Sequence, residues 1–365
     1  MAAPRLEIDL EKIYHNANEL VVRLAEHDIS VTGVTKAALG SVEVANTLLR
    51  AGVTSLGDSR LESIKAMRLN GNDVLLRDAS MMLIRSPMLS EIEQVVRYAD
   101  TSCNTEISVI KKLSLEAQKQ GRTHQILLMV ELGDLREGIM PGDLIATVGE
   151  VIGLPNIVFK GIGSNFACRS GVSPDATNMA ELSELSDRVE ATFNLTLDTV
   201  SGGNSANLLW ALNTNVSDKG RINSLRLGEA ILLGCDPLHR QPIEGLHTDA
   251  FTLIAEVIES KLKPSQPWGD IAQMAFGEAP LAIDRGTVRQ TILAIGRQDV
   301  DPDGLRASVG NQIYGASSDH LIVECANREL IVGEEMAFQV NYSALVRAMT
   351  SPFVAKIILP MPVGR

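Results

Sequence analysis

The residues that could do chemistry in this sequence are a lysine at the end of an apolar run and a Gly-rich segment that opens a helix. Lys36 closes the run Val31-Thr-Gly-Val-Thr. An amine held at the end of a buried strand, facing a cavity of low dielectric, suits nucleophilic attack on a carbonyl. It equally suits an ion pair with a carboxylate such as Glu131. Ser201-Gly-Gly-Asn-Ser205 follows another short apolar run and leads into a helical pattern. Its unhindered N–H groups, its hydroxyls and the helix start suit a phosphate. Together, an amine for an imine and a cradle for a phosphate point to pyridoxal 5'-phosphate, whose aldehyde and phosphate need those two partners. On these residues alone a Schiff-base aldolase stays equally open.

Those residues need a scaffold, and the chain's periodicity supplies one. A helix over about Leu10 to His27 precedes the strand ending at Lys36 and the helix Val42 to Leu49. The alternation continues with strands at Thr54–Asp58, Val74–Arg77, Asp100–Cys103, Gln125–Glu131, Ile157–Gly163, Leu197–Val200 and Ser224–Leu227, nearly all followed by amphipathic helical patterns. Eight such units over about 220 residues predict an α/β fold, a (β/α)8 TIM barrel. Short β-rich runs after Gly245, punctuated by Gly, Pro and Asp, predict a smaller, mainly β C-terminal domain. The expected division is 1–245 for the barrel and 246–365 for the β domain. Active sites of such barrels lie at the C-terminal strand ends. The expected ends present Lys36, Asp58 with Ser59 and Arg60, Arg77 with Asp78, Asn104, Glu131 with Arg136, Ser164 with Asn165, Ser201 to Ser205, and Arg226.

Composition excludes several classes of partner. Of 365 residues 45% are hydrophobic, enough for a large core, and 45 acidic against 33 basic residues give a net charge of -12, which repels nucleic acid. No apolar run approaches the roughly 20 residues that span a bilayer. The N-terminus lacks a signal-peptide pattern, so a cytoplasmic protein is expected. Cys103, Cys168, Cys235 and Cys325 are too widely spaced for a CxxC pair or a zinc ligand pair, so no metal site is expected.

Further segments resemble the fold-type III pyridoxal-phosphate family, the alanine racemase family. They are Leu6 to Asn16, Lys36, Gly133-Asp-Leu-Arg-Glu-Gly138, Gly161-Ile-Gly-Ser-Asn-Phe-Ala167, Asn204-Ser205 and Arg226-Leu-Gly228. Val34-Thr-Lys-Ala37, Leu56 to Glu62, Gly296 to Asp301 and Gly315 to Leu321 are similar to the alanine/ornithine-racemase subgroup, with ornithine racemase nearest. The resemblance implies an amino-acid racemase that exchanges protons at Cα through an imine with the cofactor, ornithine or another basic amino acid being favoured over alanine. It implies that Lys36 holds the cofactor and then acts as one acid/base, that Arg136 approaches the phenolic oxygen, and that Arg226 donates to the pyridine nitrogen. Asn165 would lie against the ring, while Asn204, Ser205 and Gly228 hold the phosphate. It also implies a head-to-tail homodimer in which one copy's β domain completes the other's site. The rivals are alanine racemase itself, a fold-type III decarboxylase and a non-catalytic cofactor carrier.

The sequence also departs from the family pattern. Asn165 stands where alanine racemases place a histidine, and Met129 where many carry a carbamylated lysine. Arg297 aligns with their opposite-face tyrosine, and a guanidinium is a poor proton acceptor near neutral pH. Racemisation needs proton exchange on both faces of Cα, so either Arg297 is an unusually perturbed catalytic group or a second group is expected from Asp299, Asp319 and His320. Imidazole is the side chain suited to proton exchange near neutrality. Ser318, Asp319 and His320 could instead form an ordinary turn.

Overall fold

The computed structural model describes residues 4–70, 74–277, 284–325 and 329–361. The chain divides into two compact units, one of residues 12–247 and one of residues 1–11 with 248–365.

The first strand, β1 (Arg5–Asp9), belongs to the second of these units. The expected division at 245 and 246 put this segment with the barrel, because it directly precedes the first helix. Its alternating buried Leu6 and Ile8 instead complete a sheet, where residues 5–8 pair antiparallel with residues 251–254 and residues 5–9 pair parallel with residues 355–359.

The unit 12–247 is a closed barrel of eight strands: β2 (Ser30–Val34), β3 (Ser55–Asp58), β4 (Met81–Leu83), β5 (Thr101–Asn104), β6 (His124–Met129), β7 (Ile157–Gly163), β8 (Thr199–Asn204) and β9 (Ser224–Leu227). Neighbouring strands are parallel, and β2 closes on β9 through the pairs Ser30–Ser224 to Gly33–Leu227. Apolar side chains such as Cys103, Leu127 and Met129, with Met82 and Ile84 against them, form a buried cluster drawn from three neighbouring strands. Such a barrel is a packed core whose reactive face is its C-terminal mouth.

One expected strand is a helix. Residues Val74–Asp78 are helical, and Met81–Leu83 is the strand that pairs with β3 and β5. A short apolar run cannot be assigned to strand or helix by periodicity alone. Here Leu76 is buried whereas Val74 and Leu75 are exposed, which is one contact face of a short helix; Met81 and Leu83 are both fully buried. Arg77 and Asp78 therefore sit on an exposed helix, ion-paired with each other at 3.2 Å, and not at a strand end.

The other unit is built on β10 (Phe251–Pro264), a long strand used twice. Its first half pairs with β1 and β15 (Glu335–Val340), and its second half, beyond an irregularity at Val257–Glu259, pairs with β11 (Thr287–Leu293). The strands β12 (Leu305–Ala307), β13 (Asn311–Ala316), β14 (Leu321–Cys325) and β16 (Ala355–Leu359) complete the sheet, and one helix, Tyr342–Thr350, follows β15. A mainly β second unit agrees with the expectation. Among the described residues no helix is long and apolar enough to cross a membrane.

Candidate active site

Lys36 opens a single 3₁₀ turn, Lys36–Ala38, two residues past β2, and is half-buried. The turn is held from below: the Thr35 N–H donates to the Gly57 carbonyl at 2.9 Å, and the Thr35 hydroxyl donates to Asp58 Oδ2 at 2.8 Å. Asp58 also accepts the Arg60 N–H at 2.9 Å. Burial pushes the Asp58 carboxyl up, and its hydrogen bonds only partly restore it. Asp58 is thus a buried anchor for the lysine turn. Glu131, a candidate partner for Lys36, spends both carboxylate oxygens on its own loop, accepting N–H groups of Gly133, Leu135 and Arg136 at 2.6, 3.0 and 3.2 Å.

Arg226 lies on β9 inside the barrel, 4% exposed. Its guanidinium donates to the Ser164 carbonyl at 2.7 Å, to Asn165 Oδ1 at 2.9 Å and to the Ser201 hydroxyl. All three acceptors are neutral. Burial pushes the guanidinium down from its ordinary value, and the nearby Arg136 adds to that. A cation held in the dry interior by neutral oxygens is costly unless it serves a further acceptor.

From Arg226 a chain of polar contacts runs outward. Asn165 accepts from Arg226 with its oxygen and donates with its nitrogen to Glu137 Oε1 at 2.9 Å, and Glu137 is ion-paired with Arg136. Burial opposes the charge on Arg136, but the Glu137 hydrogen bond together with the nearby charges, those of Glu137 and Asp134 among them, holds its guanidinium above its ordinary value. The loop carrying this pair depends on Gly138, where an added Cβ would lie 2.4 Å from the Glu131 nitrogen. Asp134, buried, stitches the same loop to the one after β7 by accepting the N–H groups of Cys168, Arg169 and Ser170.

The expected Gly-rich loop is part of a strand. Ser201 to Asn204 continue β8, and the helical turn begins at Ser205. Gly203, at φ +110°, permits the shift in pairing between Ser201 and Asn204 that turns the strand end toward the mouth. There the Ser205 hydroxyl accepts the N–H groups of Gly228 and Ala230, both at 3.2 Å, while Asn204 donates to the Phe166 carbonyl and the Cys168 sulfur at 2.9 and 3.0 Å. Backbone N–H groups of Gly228 and Ala230 beside a serine hydroxyl suit a phosphate group. The amine of Lys36 suits an aldehyde, and Arg226 suits an uncharged ring nitrogen. The donor set of the barrel mouth therefore fits pyridoxal phosphate.

Two residues with clear local roles were not anticipated. Glu137 stands beside Arg136 in the quoted Gly-Asp-Leu-Arg-Glu-Gly segment, so its sign and position were the available signal. Glu229, directly after Arg226-Leu-Gly228, is paired with Arg240, and burial pushes its carboxyl up against the pull of Arg240 and Lys36. Asn104, expected at a strand end, is buried and donates back to the Ser102 carbonyl and hydroxyl at 2.9 and 2.8 Å.

In the β unit, the backbone at Arg297 is hydrogen-bonded to the segment that leads into Asp319 and His320. The Arg297 N–H donates to the Ser317 carbonyl at 2.9 Å, and its carbonyl accepts from Arg347 at 2.9 Å. Its side chain lies 3.9 Å from the Asp303 carboxylate, with its guanidinium 5.8 Å from the Phe276 ring. Asp319 and His320 occupy the bend between β13 and β14, joined at 2.7 Å, with side chains 70% and 45% exposed. Asp299 accepts from the Ser351 hydroxyl.

Comparison with known proteins bears on the chain as a whole. The family described as alanine racemase, N-terminal domain, matches residues 8–236. The chain is 36% identical over 364 residues to an ornithine racemase of Acetoanaerobium sticklandii, covering 98% of this chain and 99% of that one. It is 36% identical over 362 residues to a lysine racemase of Thermotoga maritima, covering 99% of each. Among solved structures, alanine racemase from Streptomyces coelicolor A3(2) superposes with a TM-score of 0.75 at 18% identity over 98% of both chains. D-threonine aldolase from Filomicrobium marinum does so at 0.71 and 15% identity, over 95% of this chain and 88% of that one. The fold is thus shared by racemases and an aldolase, and it is the full-length sequence likeness to the two racemases that separates them: this chain belongs to the alanine racemase family.

Proposed function

We propose that this chain interconverts the L and D forms of an amino acid with a cationic side chain, ornithine or lysine before alanine, using pyridoxal 5'-phosphate. The observation that carries the reading is the 36% identity, over nearly the whole chain, to racemases named for those two amino acids. When bound, the cofactor supplies an aldehyde that joins an amine and an electron-withdrawing ring that acidifies the Cα proton. Lys36 would hold that aldehyde and then take or return a proton on one face of Cα. Arg226 would donate to the ring nitrogen and keep it unprotonated, because a guanidinium has no proton to give up near neutrality. Arg136 would donate to the phenolic oxygen, Asn165 would lie against the ring, and Asn204, Ser205 and Gly228 would hold the phosphate.

The second face needs another proton carrier. His320, paired with Asp319, is the group proposed for it, and Arg297 beside them orients the substrate or the pair. A head-to-tail homodimer, in which one copy's β unit completes the mouth of another, goes with this reading; light scattering at twice the chain mass would support it.

Chiral chromatography of single enantiomers of ornithine, lysine, arginine, alanine and serine tests the whole. Racemisation fastest on ornithine or lysine is expected. Alanine turned over faster than either overturns the substrate, and an intact yellow chromophore with no loss of optical purity in any of them favours a carrier.

A further inference from the structure

We propose that Glu137 is a positioning residue: its carboxylate fixes the Asn165 amide with the oxygen toward Arg226 and ties Arg226 and Arg136 into one unit. A side-chain amide has two ends of nearly the same shape, one donating and one accepting. Turned the other way, Asn165 would set its N–H groups against the donors of Arg226. Arg226 alone cannot hold the amide, since it contacts only one end of it. Glu137 contacts the other end, at 2.9 Å, and an ionised carboxylate only accepts, so it must face nitrogen. The same carboxylate is ion-paired with Arg136. Glu137 thus stands two hydrogen bonds from the buried guanidinium, and its anion offsets the mutual repulsion of the two arginines. Burial, and after it Arg136, pushes the Arg226 guanidinium down, and Glu137 pulls part of that back.

The inference rests on the racemase reading for its catalytic consequence, but the linkage itself belongs to the chain and is testable without cofactor. In cofactor-free full-length protein, E137A and N165A are each expected to lower the melting temperature. The double variant should fall short of their summed shifts, because both remove the same hydrogen bond; additive shifts overturn the linkage. In protein loaded with pyridoxal phosphate, E137A should bind the cofactor about three- to tenfold more weakly, the range expected of one hydrogen bond. The pH midpoint of its visible band should move down, because removing an anion disfavours protonated groups nearby. E137Q keeps the volume and an acceptor for Asn165 but loses the charge, so it should retain most of the affinity and still move the midpoint. It carries the test if E137A does not fold, and an unmoved midpoint in E137Q overturns the proposal. Wild-type protein that takes up no pyridoxal phosphate would defeat the racemase reading, while the melting comparison would still decide the role of Glu137.

Discussion

At the mouth of the barrel Arg226 is buried as a cation among neutral oxygens, whereas at the opposite end His124, the first residue of β6, is buried against the Ser102 hydroxyl at 2.8 Å. Burial lowers the His124 imidazole to about 4, so it is neutral at pH 7, and its Nε2 is met by a neutral partner. The mouth keeps a charge that costs desolvation; the base sheds one. The contrast matches the division of labour in such barrels, in which the C-terminal face carries chemistry and the N-terminal face carries stability.

Five substitutions would break or sharpen the comparison. The largest effect is expected from Lys36→Ala, which should lower kcat by at least about a thousandfold and abolish the visible band while leaving the melting temperature nearly unchanged. A variant that keeps the band would show that another amine holds the cofactor. Next come His320→Ala and Asp319→Asn in the β unit, of which at least one should slow turnover by about a hundredfold, with little change in melting because neither side chain is buried. Full rates in both directions for both variants would remove this pair from the reaction. Arg226→Lys keeps the charge but loses the planar fork that meets three acceptors, so turnover should fall about tenfold; an unchanged rate would mean that the fork does not matter.

The smallest effect on activity, and the sharpest on stability, belongs to the base. The His124 pKa is depressed in the folded state, from an ordinary value of about 6.5 to about 4. Below about pH 6.5 the unfolded chain therefore takes up a proton that the folded chain refuses. The stability present above that pH is lost as pH falls toward 4, by about 3 kcal/mol in total. Urea unfolding at pH 7.5 and pH 4.5 should show this loss in the wild type and much less of it in His124→Gln, with the pH 7.5 activity of the variant unchanged. Equal losses in the two proteins would place the acid sensitivity elsewhere.

Much of this was legible in the residues. Eight strand-helix repeats, the lysine at 36 and the Arg226-Leu-Gly228 segment are local patterns, and local patterns survive folding. The expected strand at 74–77 failed because three apolar residues in a row fit either a strand or a helix turn. Closure of the barrel, which needs a strand between β3 and β5, chose Met81–Leu83. The Gly-rich segment was read as a loop because glycines commonly break strands, yet Gly203 only bends β8 and lets it continue to Asn204.

From its own order of residues the chain determined its barrel and its family and marked Lys36 as the candidate amine, since periodicity and motif spacing are written along one dimension. Only the folded structure decided that β1 completes the distant sheet and that Glu137, Asn165 and Arg226 form one line of hydrogen bonds. Such partners lie tens of residues apart, and the burial that makes a charge costly or an amide orientation decisive does not exist until the strands close around it.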